Sequence, residues 1–178
     1  MKDLSLHILD ITENSINAGA KYIRISINED TAEDRLTIEI EDDGKGIKEE
    51  VYEKVTDPFY TTRTTRKVGL GIPLLKQASL STGGDFKIIS RNGDGTKVIA
   101  TFIYSNIDRK PLGNIGETLT TLFLMAPDVE FNYTHIKDGN TFSLNTKEIK
   151  EDLGIDILTD IKVLKDLKVL INNKLKEL

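Results

Sequence analysis

The sequence predicts a two-layer α/β (α+β) sandwich in which a mostly antiparallel sheet is backed by helices. Three observations carry this. Ile23, Ile25 and Ile27 alternate with Tyr22, Arg24, Ser26 and Asn28, and Leu36, Ile38 and Ile40 alternate with Thr37, Glu39 and Glu41, the period-two signature of half-buried strands. Two more β-rich runs, 85–91 and 96–104, flank the turn Asn92-Gly93-Asp94-Gly95 as a hairpin. Helical spacing of apolar residues precedes the first pair of strands and separates it from the second.

In chain order, Leu6, Leu9, Ile11, Ile16 and Ala20 recur at mainly three- to five-residue steps, which predicts a helix over 5–19 that ends at Gly19. The first two strands follow, joined by an acidic loop from Glu29 to Asp34. Leu70 to Thr82 reads as a helix stopped by Gly83-Gly84, and the hairpin comes next. After the run TKVIATFIYS the composition changes, and Asp108-Arg109-Lys110-Pro111-Leu112-Gly113 reads as a linker or capped helix start. The chain therefore divides near Asn106 into 1–105 and a small α/β C-terminal extension, 106–178. That extension reads as helix 113–126, strands near 129–136 and 140–145 around Asp138-Gly139, and helices near 146–153 and 159–176. In the last helix Ile161, Leu164, Leu167, Ile171 and Leu175 share a face, which packs on its own protein or, alternatively, on a partner or second copy.

Composition narrows the function. Among 178 residues there are 24 Lys and Arg against 29 Asp and Glu, a net charge of −5, which argues against broad binding to nucleic acid or anionic lipid. No apolar run reaches the roughly 18 residues of a membrane span. The start MKDLSLHILD lacks a signal-peptide layout, so the expectation is a soluble, cytoplasmic protein with no membrane partner. With no cysteine there is no disulfide scaffold, Cys-based zinc site or thiol nucleophile, and His7 and His135 are too far apart for a His-rich metal site. Any metal must use oxygen ligands.

Three separated segments carry the chemistry: DITENSINAGA at Asp10–Ala20, DDGKGI at Asp42–Ile47, and KVGLGI at Lys67–Ile72. Alone, Asp-x-Gly-x-Gly reads as a turn. The chain has neither a Gly-x-x-x-x-Gly-Lys-Ser/Thr loop nor the dinucleotide fingerprint between a first strand and helix. Together and in this order, the segments resemble the GHKL superfamily, the ATP-binding fold shared by DNA gyrase, the large heat-shock chaperone, sensor histidine kinases and MutL. The resemblance spans about residues 1–104. ENSINAGAKYIRISI is similar to the first motif, especially in its MutL form, and DDGKGI to the second. DPFYTTR resembles the phenylalanine box of histidine kinases, VGLGIPLLKQ their glycine-rich lid-to-helix motif, and NGDGTKVIATF the final strand motif.

The resemblance implies a Bergerat-type mixed, mostly antiparallel sheet, with ATP and Mg²⁺ as cofactors. Asn14 would hold the ion, lying four residues after Asp10 on the same side of the first helix. Asp10 falls where many members carry a glutamate base, and aspartate is one methylene shorter. Asp42 would accept a hydrogen bond from the adenine amino group, where guanine offers a carbonyl. Gly44 and Gly46 would let the backbone approach base and sugar, Thr96 would assist Asp42, and Asn17 belongs to the cofactor-binding set; Asp43 reads as a solvated turn residue. The segment Asp57–Gly69 would be the lid, with Arg63, Arg66 and Lys67 on the phosphates and Gly69 and Gly71 opening the next helix toward an anion. Lys67 replaces the first glycine of the usual Gly-x-Gly-x-Gly. Phe59 would anchor the lid, and Tyr60 has no assigned role.

The implied function is a regulatory protein kinase, like histidine kinase or anti-sigma serine kinase catalytic domains, transferring the γ-phosphate to a partner protein. Alternatives are a hydrolytic switch of MutL/gyrase type and a non-catalytic nucleotide-dependent binding module. The expectation is that no phosphorylated helical hairpin precedes the domain, and His7 and His135 read as structural. A regulatory protein is the expected partner, with a homodimer through the C-terminal region as a further expectation.

Overall fold

The computed structural model describes residues 1–47, 71–90 and 92–178. Helix α1 (Leu4–Asn17) is N-capped by Asp3, whose carboxylate accepts from the Leu6 amide at 3.2 Å and from Ser5 Oγ at 2.7 Å. It ends before Gly19, where φ is +80°, so Ala18 and Gly19 form the exit turn that the apolar spacing alone includes in the helix.

Strands β1 (Tyr22–Asp30) and β2 (Arg35–Asp42) pair antiparallel. The acidic loop is shorter than the sequence predicts, because β1 continues through Glu29 and Asp30. Glu29 is only 7% exposed, and its Oε1 lies 2.8 Å from His135 Nε2. A buried partner, absent from the local sequence, turns an apparent loop residue into a strand residue. Helix α2 (Gly71–Ser81) leads to the hairpin of β3 (Phe86–Ser90) and β4 (Thr96–Ile103). Then come helix α3 (Ile115–Met125), strands β5 (Glu130–Lys137) and β6 (Asn140–Asn145), and helices α4 (Thr146–Leu153) and α5 (Ile161–Glu177).

All six strands form one sheet in the order β3-β4-β2-β1-β5-β6, antiparallel except for the parallel β1–β5 pair. This is the expected α+β architecture with a mixed sheet. One face buries Ile23, Ile25, Ile27, Leu36, Ile38 and Ile40 beneath the helices. Each such side chain contributes about 1.5–3 kcal/mol by leaving water. The other face carries exposed or half-exposed pairs, Arg24–Glu41 at 3.4 Å and Lys97–Glu39 at 2.7 Å, which explains the alternation in the sequence.

The stretch after β4 is tied down rather than loose. Leu4 and Ser5 amides donate to the carbonyls of Pro111 and Leu112, and Arg109 Nε donates to the Tyr104 carbonyl at 2.6 Å. Helix α3 begins only after this strap, with Asn114 as its cap. Phe123 of α3 packs on Phe131 of β5 with centroids 5.4 Å apart. Helix α5 packs on α3 and buries Leu164 and Ile171, whereas Ile161, on the predicted apolar face, is 65% exposed at the first turn. Gly116 permits that packing: a Cβ there would lie 2.7 Å from the Lys168 carbonyl oxygen. Among the described residues no helix is long and apolar enough to cross a membrane.

Candidate functional site

Strand register builds a transverse row at one end of the sheet. Ile23 of β1 lies opposite Asp42 of β2, Asp42 opposite Thr96 of β4, and Thr96 opposite Ser90 of β3. Directly opposed residues of antiparallel strands project to the same face, here the helix side. Asp42 is 9% exposed, and both its oxygens have donors: Ser15 Oγ to Oδ2 at 2.6 Å and the Gly44 amide to Oδ1 at 2.9 Å. Such charge-assisted bonds make a buried carboxylate tolerable and fix its orientation.

The loop after Asp42 is held at three points. Gly44 passes so close to α1 that a Cβ would sit 2.9 Å from Asp42 Oδ1 and 3.0 Å from Ala18 Cβ. The Lys45 amide donates to the Ala18 carbonyl at 3.0 Å, and the Ile47 amide donates to Ser90 Oγ at 2.8 Å. Gly46 has φ +68°, a left-handed conformation that suits glycine. Asp43 is exposed, as expected of a turn residue, and its side chain also accepts from the Lys21 and Tyr22 amides at 2.7 and 2.9 Å and pins the start of β1. On the far side Gly95, with φ +77°, abuts the Asp42 backbone so closely that a Cβ would collide with its carbonyl oxygen.

Helix α1 supplies the other wall. Asp10 and Asn14 are half-buried and one turn apart, and Asn17 is exposed at the helix end. Ser15, which grips Asp42, is the residue after Asn14. Gly71, the first residue of α2, packs on Asp10, and a Cβ there would lie 3.0 Å from Asp10 Oδ2. The three motif segments therefore converge on one helix: Asp42 meets it beside Asn14, and Gly71 meets it at Asp10. Arg63, Arg66, Lys67 and Gly69, with Phe59, Tyr60 and the rest of the expected lid, lie outside the described residues. Among the described residues no group of three or more His, Cys, Asp and Glu could hold a metal ion.

Three contributors were not expected from sequence: Ser15, Ser90 and Asp43. Ser15 stands inside the first motif, so its signal was present. Ser90 Oγ accepts from Ile47, donates to the Gly95 carbonyl at 2.8 Å and lies 2.9 Å from Thr96 Oγ1, relations visible only once the hairpin closes. The two histidines are both buried. His7, 3% exposed on α1, is lowered from 6.5 to about 4, first by burial and then by the chain's amino terminus and Lys110, against an opposing pull from Asp3. His135 sits between Tyr133 Oη and Glu29 Oε1, each at 2.8 Å.

Comparison with known proteins adds the family. Residues 2–105 match the family described as Histidine kinase-, DNA gyrase B-, and HSP90-like ATPase, and the chain belongs to it. It is 32% identical over 108 residues to the sensor histidine kinase WalK of Bacillus subtilis, covering 54% of this chain and 18% of that protein. Against the sensor histidine kinase YxdK of the same organism it is 31% identical over 107 residues, covering 57% of this chain and 33% of that one. The chain thus spans a third or less of these relatives. Among solved structures, the Aquifex aeolicus MutL ATPase domain complexed with ADP shares the fold with TM-score 0.52 and 19% identity, over 87% of this chain and 70% of the other. The expected membership of this superfamily, with histidine kinases among the relatives, is borne out, and the MutL domain shares the fold.

Proposed function

We propose that this chain binds ATP with Mg²⁺ and acts as a regulatory protein kinase, transferring the γ-phosphate to a partner protein. Residues 1–105 would bind the nucleotide, and 106–178 would engage the partner or a second copy. The supporting observation is the buried Asp42 carboxylate, held by Ser15 and Gly44 beside Asn14. A carboxylate presents only acceptors, which suits the adenine amino group and not the carbonyl of guanine.

The Asn14 side chain on α1 suits a hard cation, because it offers an amide oxygen. Asn14 would take one coordination position, with phosphate and water filling the others. When bound, the ion offsets phosphate charge. Asn17, Gly44, Gly46 and Thr96 would line the nucleotide; Arg63, Arg66, Lys67, Gly69 and Gly71 would face its phosphates. Asp10 would orient the partner's Ser, Thr or His and take its proton as the new bond to phosphorus forms, the bond to the β–γ bridging oxygen breaks, and ADP leaves. A docked hydroxyl needs less help from a shortened carboxylate than a free water does.

A second reading, an ATP-driven conformational switch, draws on the direct hydrogen bonding of β5 to β1, which couples the C-terminal strands to the nucleotide-facing sheet. Tracing γ-labelled ATP with Mg²⁺ and candidate partners separates the cases. Label on a partner supports the kinase. Rapid partner-free phosphate release, abolished in Asp10→Asn, overturns it for the switch, and binding without either product leaves a nucleotide-dependent binding module.

A further inference from the structure

We infer that Ser90 is a positioning residue that sets the hydrogen-bond polarity of the base pocket, by taking up the Thr96 proton and leaving Thr96 an acceptor beside Asp42. The inference rests on the adenine-nucleotide reading and adds a specificity determinant to it.

The argument is a count of protons. A serine hydroxyl has one proton and two lone pairs. Ser90 Oγ has three partners: the Gly95 carbonyl oxygen at 2.8 Å, the Ile47 amide at 2.8 Å and Thr96 Oγ1 at 2.9 Å. The carbonyl has no proton to give, so the Ser90 proton goes to it. The Ile47 N–H fills one lone pair of Ser90. Two oxygens at 2.9 Å need a proton between them, and with that of Ser90 spent, Thr96 must supply it. Ser90 is then saturated, and Thr96 Oγ1 has only lone pairs left.

The neighbouring strand presents the same polarity. The Ser15 proton is spent on Asp42 Oδ2 and the Gly44 N–H on Oδ1. Because Ser90, Thr96 and Asp42 form one row, that row offers acceptors on two adjacent strands and, among its own side chains, no free hydroxyl proton. A purine with an amino group at C6 satisfies that row, directly or through one water, whereas a C6 carbonyl meets acceptors with its own acceptor. Thr96 alone does not discriminate, since a free hydroxyl can rotate to donate. Ser90 removes that freedom.

The test is calorimetric titration of the full chain with Mg-ATP and with Mg-ITP, whose base carries a carbonyl at C6. In Ser90→Ala the Thr96 proton is released and can turn to that carbonyl. The ATP-to-ITP affinity ratio should then fall by about tenfold or more, while Ser90→Thr, which keeps the hydroxyl, should retain the wild-type ratio. A role confined to stiffening the hairpin would weaken both nucleotides alike and leave the ratio unchanged, and that result overturns the inference. Ser90→Cys, which keeps the volume but is a weak acceptor, carries the same test should the alanine variant not fold. If wild type binds neither nucleotide, the adenine reading itself fails and the inference with it; if wild type prefers ATP but the ratio ignores Ser90, only the inference fails.

Discussion

Replacing Asp42 with asparagine keeps the side chain's shape and exchanges one carboxylate oxygen for an NH₂ group. The Gly44 amide at 2.9 Å still requires an oxygen at Oδ1, so the NH₂ must fall on the Ser15 side, where Ser15 Oγ now donates at 2.6 Å. The Ser15 hydroxyl then has to turn and accept, and the second NH₂ proton faces the position assigned to the adenine amino group. An acceptor with full charge becomes a donor opposing a donor. Loss of one hydrogen bond to a charged group costs about 1.5–3 kcal/mol, which raises Kd for ATP roughly tenfold to more than a hundredfold. Calorimetric titration with Mg-ATP measures this, with circular dichroism confirming that the variant is folded. An unchanged Kd in a folded Asp42→Asn protein would refute the reasoning, because no site built on this carboxylate could tolerate the exchange.

Other expectations follow from the same geometry. Asp10→Asn should leave ATP binding intact, since Asn14 and Asp42 remain, but slow phosphotransfer by about 10²–10⁴-fold; equal rates by γ-label tracing would remove Asp10 from the chemistry. Gly93 and Gly95 both have positive φ, but a Cβ at Gly93 meets nothing within 4 Å, whereas one at Gly95 collides with Asp42. Each alanine variant should lose about 1–2 kcal/mol for the left-handed conformation, and only Gly95→Ala should lose further stability and ATP affinity. Equal melting temperatures for the two would contradict the close approach. His7, lowered to about 4 by burial, is protonated in the unfolded chain below about 6.5 but not in the fold, so stability should fall as pH drops through that window. At about 1.4 kcal/mol per unit the loss is on the order of 3 kcal/mol, and His7→Phe should flatten the profile in urea titrations. Burial pushes the Glu29 carboxyl up, but the hydrogen bond and charge of His135, with Lys137 and Tyr104, outweigh it and hold it below 4.5. Its contribution is present above that value and lost as pH falls through the lower folded-state one, so Glu29→Gln should reduce the acid-side slope.

The sequence made local features legible. The isoleucines of β1 and β2 alternate because one sheet face is wet, and the helix ends announce themselves through glycines and caps. What stayed hidden depends on residues far apart in the chain. Nothing near Glu29 hints at His135, so a charged residue at a strand end read as loop, and nothing in either strand signals the parallel pairing of β1 with β5. At the site, Asp10, Asn14 and Asp42 were visible as motif residues. Gly71 reads as a helix start in the sequence, but its contact with Asp10 does not show there. Ser90 read only as a strand residue, because its task exists only when the Ile47 amide, the Gly95 carbonyl and Thr96 arrive at one oxygen.

The central claim is an adenine-nucleotide site framed by Asn14 and Asp42, and side-by-side calorimetry of ATP and GTP, each with and without Mg²⁺, tests it most directly. The account predicts micromolar ATP binding that weakens when Mg²⁺ is withheld, with much weaker heats for GTP. Equal affinity for the two nucleotides, or no binding of ATP, would contradict it.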